Sequence, residues 1–373
     1  MRAVNVAVVG AGVTGLSIAW HLRRRGVEAV VVERAGVAAG ASGVQPGGVR
    51  QQWGTAVNCR LARESAAFYH DAREHLGGPL ELPFSACGYL FLAHSAAALE
   101  HLRTNVAVQT AAGVPSRLVD ADGAARLVPG LAVESVAGAS WCHEDGYVDR
   151  PQAVVESFAR EARVEIAEVA VIGRDGTAWR LELRDGDHLA AETVVVAAGV
   201  DTPGLLAPLG IEIPIERESR WLFLSDPIGE RLVEPLVVSA ERRFAAKQLA
   251  DGRVLASDLS AVAETDERAP EWRAAIRRSV RELLPVLEHV DFSLLVHGVY
   301  DVTPDRQAIV GPVPGEDGLW LAAGFSGHGF MLAPAVGRIV ADAIAGGARD
   351  EALSIIDPAR FAEHRLVPEP QLV

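Results

Sequence analysis

Apolar and polar positions along the chain fall into three patterns, and each predicts a different kind of element. Continuous apolar runs at 4–9, broken only by Asn5, at 29–32 and at 193–198 fit strands buried on both faces, as in a parallel sheet. Helical periodicity follows the first run to about Arg25, where Gly26 stops it, and returns over 56–76 with Leu61, Ser65, Phe68 and Ala72 on one face. Further helices are expected at 95–112, at 120–127, from Pro151 to about 162, at 271–284 and at 332–344. Short runs at 84–93, 134–142, 164–173 and 179–184 read as strands, with Asp185-Gly186 as a hairpin turn before the run at 193–198. Alternation over 211–224, demoted to an edge at Pro214, precedes short strands at 236–239, 244–249, 254–257 and 291–300. These predict a second, mainly antiparallel sheet, and a last strand at 318–323 leads into the final helix.

The organising stretch is VAVVGAGVTGLSIAWHLRRRGVEAVVVER, from Val6 to Arg34. It reads as strand, glycine turn, helix and strand. Gly10 permits the tight turn, Gly12 lets backbone approach a pyrophosphate, and Gly15 lets the helix pack closely on the strand. The helix start then offers N–H groups and partial positive charge to phosphates. Glu33, 18 residues after Gly15 at the tip of the second strand, stands where a carboxylate accepts from ribose hydroxyls. Together these parts imply a bound dinucleotide.

Length and composition narrow the picture. At 373 residues and 49% hydrophobic content the chain can build two domains around a sizeable core. A net charge of −14 argues against nucleic acid or an anionic membrane surface as a general partner, while leaving room for anionic small substrates at a local cation. Cys59, Cys87 and Cys142 lie far apart, which fits a reducing compartment rather than a disulfide framework or zinc cluster. No apolar run reaches the ~20 residues of a membrane span, and a cytoplasmic location is expected.

Three polar features remain. The glycine-rich loop 40–55 carries Arg50 directly after Gly47, Gly48 and Val49. A guanidinium there is a candidate anchor for a substrate carboxylate, which it binds bidentately. His143, Glu144 and Asp145 form a contiguous polar turn that reads as solvated, with no second ligand cluster to complete a metal shell. The segment from Gly324 to Leu332, GFSGHGFML, repeats the opening logic of a glycine loop between a buried strand and a helix, and with no phosphate left to bind it would face the far end of the cofactor.

The chain resembles the D-amino-acid oxidase superfamily of flavoproteins, most closely its sarcosine oxidase β-subunit and L-proline dehydrogenase β-subunit branch. The likeness rests on GAGVTG with Glu33, PGGVRQQ, CGYLFL at 87–92, TPD at 303–305, and AAGFSGHGFMLAPAVG at 322–337, and it covers essentially the whole chain. The resemblance implies an α/β fold of glutathione-reductase type: a Rossmann-type FAD-binding domain from 1–80, 143–210 and 301–373, and a second, mainly antiparallel-sheet substrate domain from 81–142 and 211–300 that roofs the flavin. It implies that Gly10, Gly12, Val13, Thr14 and Gly15 hold the pyrophosphate and Glu33 and Arg34 the adenosine end. Ser42, Gly48, Val49 and Gly199 would lie along the cofactor, and Val169 would meet the adenine through its backbone. Gly327, His328, Gly329, Phe330 and Met331 would place N–H groups near the flavin ring. Arg50 would bind the substrate carboxylate, and Tyr300 and His328 would stand near flavin and substrate.

Two departures from monomeric sarcosine oxidases matter. Gly298 replaces the cysteine that carries the flavin there, so non-covalent FAD is expected. Met331 replaces a lysine whose charge would favour oxygen as acceptor. The chain therefore reads as a dehydrogenase that oxidises a small amino acid, such as an N-methyl or cyclic one, and passes electrons onward, with a partner subunit plausible. A 2-hydroxy-acid dehydrogenase with His328 as base, and a flavin-bearing subunit without turnover alone, are the alternatives.

Overall fold

The computed structural model describes residues 2–79 and 81–371. Strand Arg2–Val9 lies at the heart of an eight-stranded sheet, parallel both to Ala29–Glu33 and to His188–Val196. Its alternate side chains enter two separate apolar clusters: Val6 and Val8 face the helices, whereas Ala7 and Val9 pack with Val30, Val32 and Leu181 on the other side. Burial on both faces over Val6–Val9 is why the sequence is continuously apolar there, while Asn5 falls in the less buried first half of the strand. Arg163–Ile166 and Leu319–Ala323 add parallel strands, and Val169–Asp175, Ala178–Leu183 and Ile309–Pro312 add antiparallel ones.

On one face, helix Val13–Arg24 crosses helix Gly329–Ile344 closely enough that a Cβ on Gly337 would lie 2.9 Å from His21 Cδ2. The Ser17 hydroxyl donates to the Ala333 carbonyl across this contact at 2.9 Å. Pro334, inside the second helix, has no N–H for the Phe330 carbonyl four residues earlier. The buried Tyr69 hydroxyl donates to that carbonyl instead, at 2.5 Å. The glycine loop that precedes Gly329 is thus fixed against the first nucleotide-type unit.

The second eight-stranded sheet runs in the order Leu294–Val302, Glu216–Leu224, Val254–Asp258, Phe244–Gln248, Leu236–Ser239, Tyr89–Ala93, Gly138–Cys142, Arg117–Val119. Every pair is antiparallel except Leu236–Ser239 with Tyr89–Ala93. Helix Ala269–Leu283 covers one face, packing Trp272, Ile276 and Val280 against Phe223, Val237 and Phe244. Tyr89, Phe91, Leu236 and Val238 group on the opposite side of the strands.

Several elements differ from the sequence reading. The helix expected over 56–76 breaks at Asp71 into Ala56–His70 and Ala72–Leu76. The run 84–93 is two strands in different sheets, because Gly88 turns the chain at φ +83°. Likewise 164–173 divides: Arg163–Ile166 pairs with Ala29–Glu33, whereas Val169–Asp175 pairs with Ala178–Leu183. The strand expected from 134 starts at Gly138, and the final helix starts at Gly329 rather than Leu332. The loop 40–55 contains a short helix, Ala41–Val44, and a strand, Gly48–Val49. The turn 143–150 contains strand Gly146–Val148 and a fully buried Asp145, whose carboxylate accepts from Gln51 N at 2.7 Å and Gln52 Nε2 at 3.1 Å. Asp145 is therefore a structural acceptor for the loop and not a solvated turn residue, and burial pushes its carboxyl up to about 7.

Candidate active site

A cavity of about 1190 Å³ runs between the two large sheets. Gly10, Gly12, Val13, Thr14, Glu33 and Arg34 line it together with Ser42, Val169 and Gly199, and Gly48, Arg50, Tyr300 and Gly327 through Met331 form the rest of the predicted lining. Gly15 and Val49 lie behind the wall. A Cβ on Gly15 would collide with the Gly10 carbonyl and lie 3.2 Å from Val8 Cγ1, so this glycine serves the close packing of helix on strand. Val49 is wholly buried in the core.

Around the Gly10 turn the geometry fits a nucleotide. Gly10 holds φ +111°, and a Cβ there would sit 2.5 Å from the Ala197 carbonyl oxygen. The Ser42 hydroxyl accepts from Val13 N at 2.9 Å, tying the 41–44 helix to the start of the 13–24 helix. Glu33 is aimed by two backbone donors, Ala11 N at 2.8 Å and Ala35 N at 2.9 Å, leaving further lone pairs for ribose hydroxyls. Arg34 is engaged in an exposed ion pair with Asp201.

A second part of the lining is built by the loop before Gly329. Gly324, Ser326 and Gly327 all hold positive φ, at +69°, +52° and +89°. Backbone of that kind persists only where its surroundings enforce it. Here the Asp301 carboxylate accepts Gly324 N at 2.7 Å, the Ser326 hydroxyl accepts Thr303 N at 3.2 Å, and a Cβ on Gly327 would lie 2.5 Å from Tyr300 Cζ. The strand bearing Tyr300 and the glycine loop therefore form one surface.

Burial sets the protonation of this part. His328 is buried edge-on to Trp53, with ring centroids 4.5 Å apart. Desolvation, then the Arg50 guanidinium, hold it well below the ordinary histidine value, so the ring is neutral. Burial raises the Tyr300 and Tyr89 hydroxyls above the usual tyrosine value, and lifts Asp301 to about 6. Arg50 is 1% exposed: Nη1 donates to Gln52 O at 2.5 Å, Nη2 to Gln371 O at 3.0 Å, and the guanidinium lies 3.9 Å from the Trp53 ring centroid. Each terminal nitrogen thus donates to one main-chain carbonyl, one of them in the C-terminal tail, and Nη2 also stands 3.5 Å from His328 Nε2.

Tyr89, Lys247 and Asp301 also line the cavity and escaped the sequence reading. The signal for Lys247 was a single charge in the short apolar strand Phe244–Gln248. Met331 lines the cavity as expected of the loop, and Lys247 adds a buried amine cation to the lining from the roof sheet.

A parallel-sheet domain with a glycine-turn helix, roofed by an antiparallel sheet across one long cavity, defines a dinucleotide-dependent oxidoreductase. The chain belongs to the FAD-dependent oxidoreductase family known as DAO, whose model matches residues 5–343. It is 30% identical to glycine oxidase of Pseudomonas aeruginosa over 96% of this chain and 98% of that enzyme. It is 27% identical to the formaldehyde-forming 4-methylaminobutanoate oxidase of Paenarthrobacter nicotinovorans over 97% of this chain, spanning only 46% of that longer protein. Among solved structures, L-proline dehydrogenase from P. horikoshii superposes with a TM-score of 0.89 at 27% identity, covering 98% of this chain and all of that one. FAD is thus the cofactor of the family, and the glycine cradle and the aimed Glu33 fit its adenosine diphosphate half. No described helix is long and apolar enough to cross a membrane.

Proposed function

We propose that this chain oxidises the carbon–nitrogen bond of a small amino acid, with a secondary amine such as an N-methyl or ring nitrogen as the preferred donor. FAD, when bound, supplies the acceptor for a hydride from the carbon next to nitrogen. The observation that carries the reading is the protonation of the cavity lining beside the glycine loop: His328 is held neutral with little proton affinity, and Tyr89 and Tyr300 are held protonated. None of these three serves as a strong base at neutral pH, and the Asp301 carboxylate on the same lining is taken up by the Gly324 N–H. An amine that binds unprotonated brings its own lone pair and needs none, whereas an alcohol needs a base for its hydroxyl proton. The 2-hydroxy-acid alternative, which relied on His328, is correspondingly disfavoured. The relatives, a glycine oxidase, a 4-methylaminobutanoate oxidase and an L-proline dehydrogenase, support an amine donor.

In this reading Tyr300 and the 327–331 backbone orient the donor, and Arg50 supplies positive potential from the cavity wall. The two sheets exclude water, and orientation supplies much of the rate. A thioether link to the flavin is excluded at 298, where Gly298 has no thiol, and among the described residues no cysteine lines the cavity. The test is turnover with an electron-accepting dye, with and without oxygen, on matched pairs such as sarcosine and glycolate or L-proline and lactate. Dye reduction with a stoichiometric imine or aldehyde product is expected from the amines alone; reduction by the hydroxy acids alone refutes the proposal.

A further inference from the structure

In strand Phe244–Gln248, Phe244 and Ala246 turn toward helix Ala269–Leu283, so Lys247 alternates onto the opposite side, with Ala245 and the Tyr89, Leu236 and Val238 group. There it lines the cavity while remaining 2% exposed. Its ammonium donates to the Pro46 carbonyl and stands 4.5 Å from the Tyr147 ring centroid. It makes no ion pair among the described residues. Arg34, Arg184 and Arg220, which also line the cavity, each have a carboxylate partner, and Arg217, which has none among the described residues, is exposed to solvent.

A buried cation without a counter-ion is costly, and such groups are found paired or bound to a ligand. Arg50 is the other buried cation on the wall, but it already donates to the Gln52 and Gln371 carbonyls, stands 3.5 Å from His328 Nε2 and lays its face on Trp53. Lys247 has three donors and one protein acceptor. Its position also suits the chemistry. Pro46, which it touches, lies two residues before Gly48, where a Cβ would meet the Tyr89 hydroxyl and lie 3.5 Å from Met331 Cε at the end of the glycine loop.

We propose that Lys247 is the direct anchor for the carboxylate of the substrate, with the Tyr89 hydroxyl as a second donor and Arg50 acting only through its field. The assignment rests on the amine-oxidation reading above and deepens it. The carboxylate docks on the roof sheet, and the apolar wall of Leu236, Val238 and Leu255 receives a compact alkyl chain or ring. The donor class this selects is an α-amino acid with a small apolar skeleton, in preference to the corresponding decarboxylated amine.

The test is equilibrium binding to the oxidised holoprotein, read from the flavin absorbance spectrum, with propionate as the anionic probe and propionamide as its neutral match. Propionate should bind the native protein, and Lys247→Met should weaken it about 10- to 100-fold, the loss of a charge-assisted hydrogen bond in a dry site. Propionamide should change less than about threefold, since it never used the charge. Lys247→Arg should recover part of the propionate affinity. Lys247→Gln keeps a donor for Pro46 and makes the same comparison if the methionine variant fails to hold flavin. Unchanged propionate binding in the neutral variants, or an equal loss for propionamide, overturns the assignment; so does a variant altered only in flavin reoxidation. Binding requires no turnover, so the two readings fail separately. If propionate depends on Lys247 but no amine reduces the flavin, the anion site stands and the amine reading falls.

Discussion

Replacing Gly327 by alanine adds one methyl group where the glycine loop rests on the Tyr300 ring. Two costs can be separated. The residue holds φ +89°, which an L side chain tolerates at a cost of ~1–2 kcal/mol. The new Cβ would also lie 2.5 Å from Tyr300 Cζ, so the ring or the loop must shift to accept it. Overpacking of this kind costs ~1–3 kcal/mol, giving ~2–5 kcal/mol in all. Gly26 supplies the control: it holds φ +73° and a Cβ there would meet nothing within 4 Å, so Gly26→Ala reports the conformational cost alone. Urea unfolding of both variants and the native protein, followed by tryptophan fluorescence at one fixed excess of FAD, should show Gly327→Ala destabilised by ~1–3 kcal/mol more than Gly26→Ala. FAD affinity should fall in the Gly327 variant only. Equal destabilisation of the two would refute the claim that the loop and the Tyr300 strand form one closely fitted surface.

Three further outcomes are expected. Arg360 and Asp305 form a fully buried ion pair that ties the TPD segment to the C-terminal region; Arg360→Met should cost ~3–5 kcal/mol in urea unfolding, because it leaves the Asp305 carboxylate buried without its partner. Burial lowers Lys247 to about 8, against more distant support from Cys87 and Asp149, so the free enzyme loses this charge as pH rises through that value. Propionate affinity should therefore hold below pH 8 and fall about tenfold per unit well above it, a limb absent in Lys247→Gln. Acid precipitation of the holoprotein should leave all the flavin in the supernatant, as intact FAD by chromatography; a yellow pellet would contradict non-covalent binding.

The sequence was most informative where one local pattern has one physical use. Gly10, Gly12 and Gly15 with Glu33, between two unbroken apolar runs, specify a strand–helix–strand unit whose parts all depend on neighbours within about 30 residues. The loop from Gly324 to Met331 was visible for the same reason, and Phe325 and Gly327 through Met331 do line the cavity. What escaped depends on distant partners. Asp145 looks like any turn acid until the Gln51 and Gln52 donors are folded onto it. Glu369 sits in an unpatterned tail, yet it accepts from Gly54 N, Thr55 Oγ1 and Asn58 Nδ2, and Gln371 beside it engages Arg50. That contact is why Arg50, so suggestive in the loop, has its terminal nitrogens directed to carbonyls. Lys247 was missed because alternation in a five-residue strand does not say which face meets a cavity. The breaks at Gly88 and between Ile166 and Val169 were hidden because each apolar run spans two strands that pair with different neighbours.

The most direct test of the central claim is anaerobic mixing of the holoprotein with a panel of amino acids, followed by the loss of oxidised-flavin absorbance. Secondary amino acids such as sarcosine and L-proline should bleach the flavin, faster than their decarboxylated amines and with glycolate and lactate inert. A flavin bleached by the hydroxy acids but left oxidised by every amine would contradict the account.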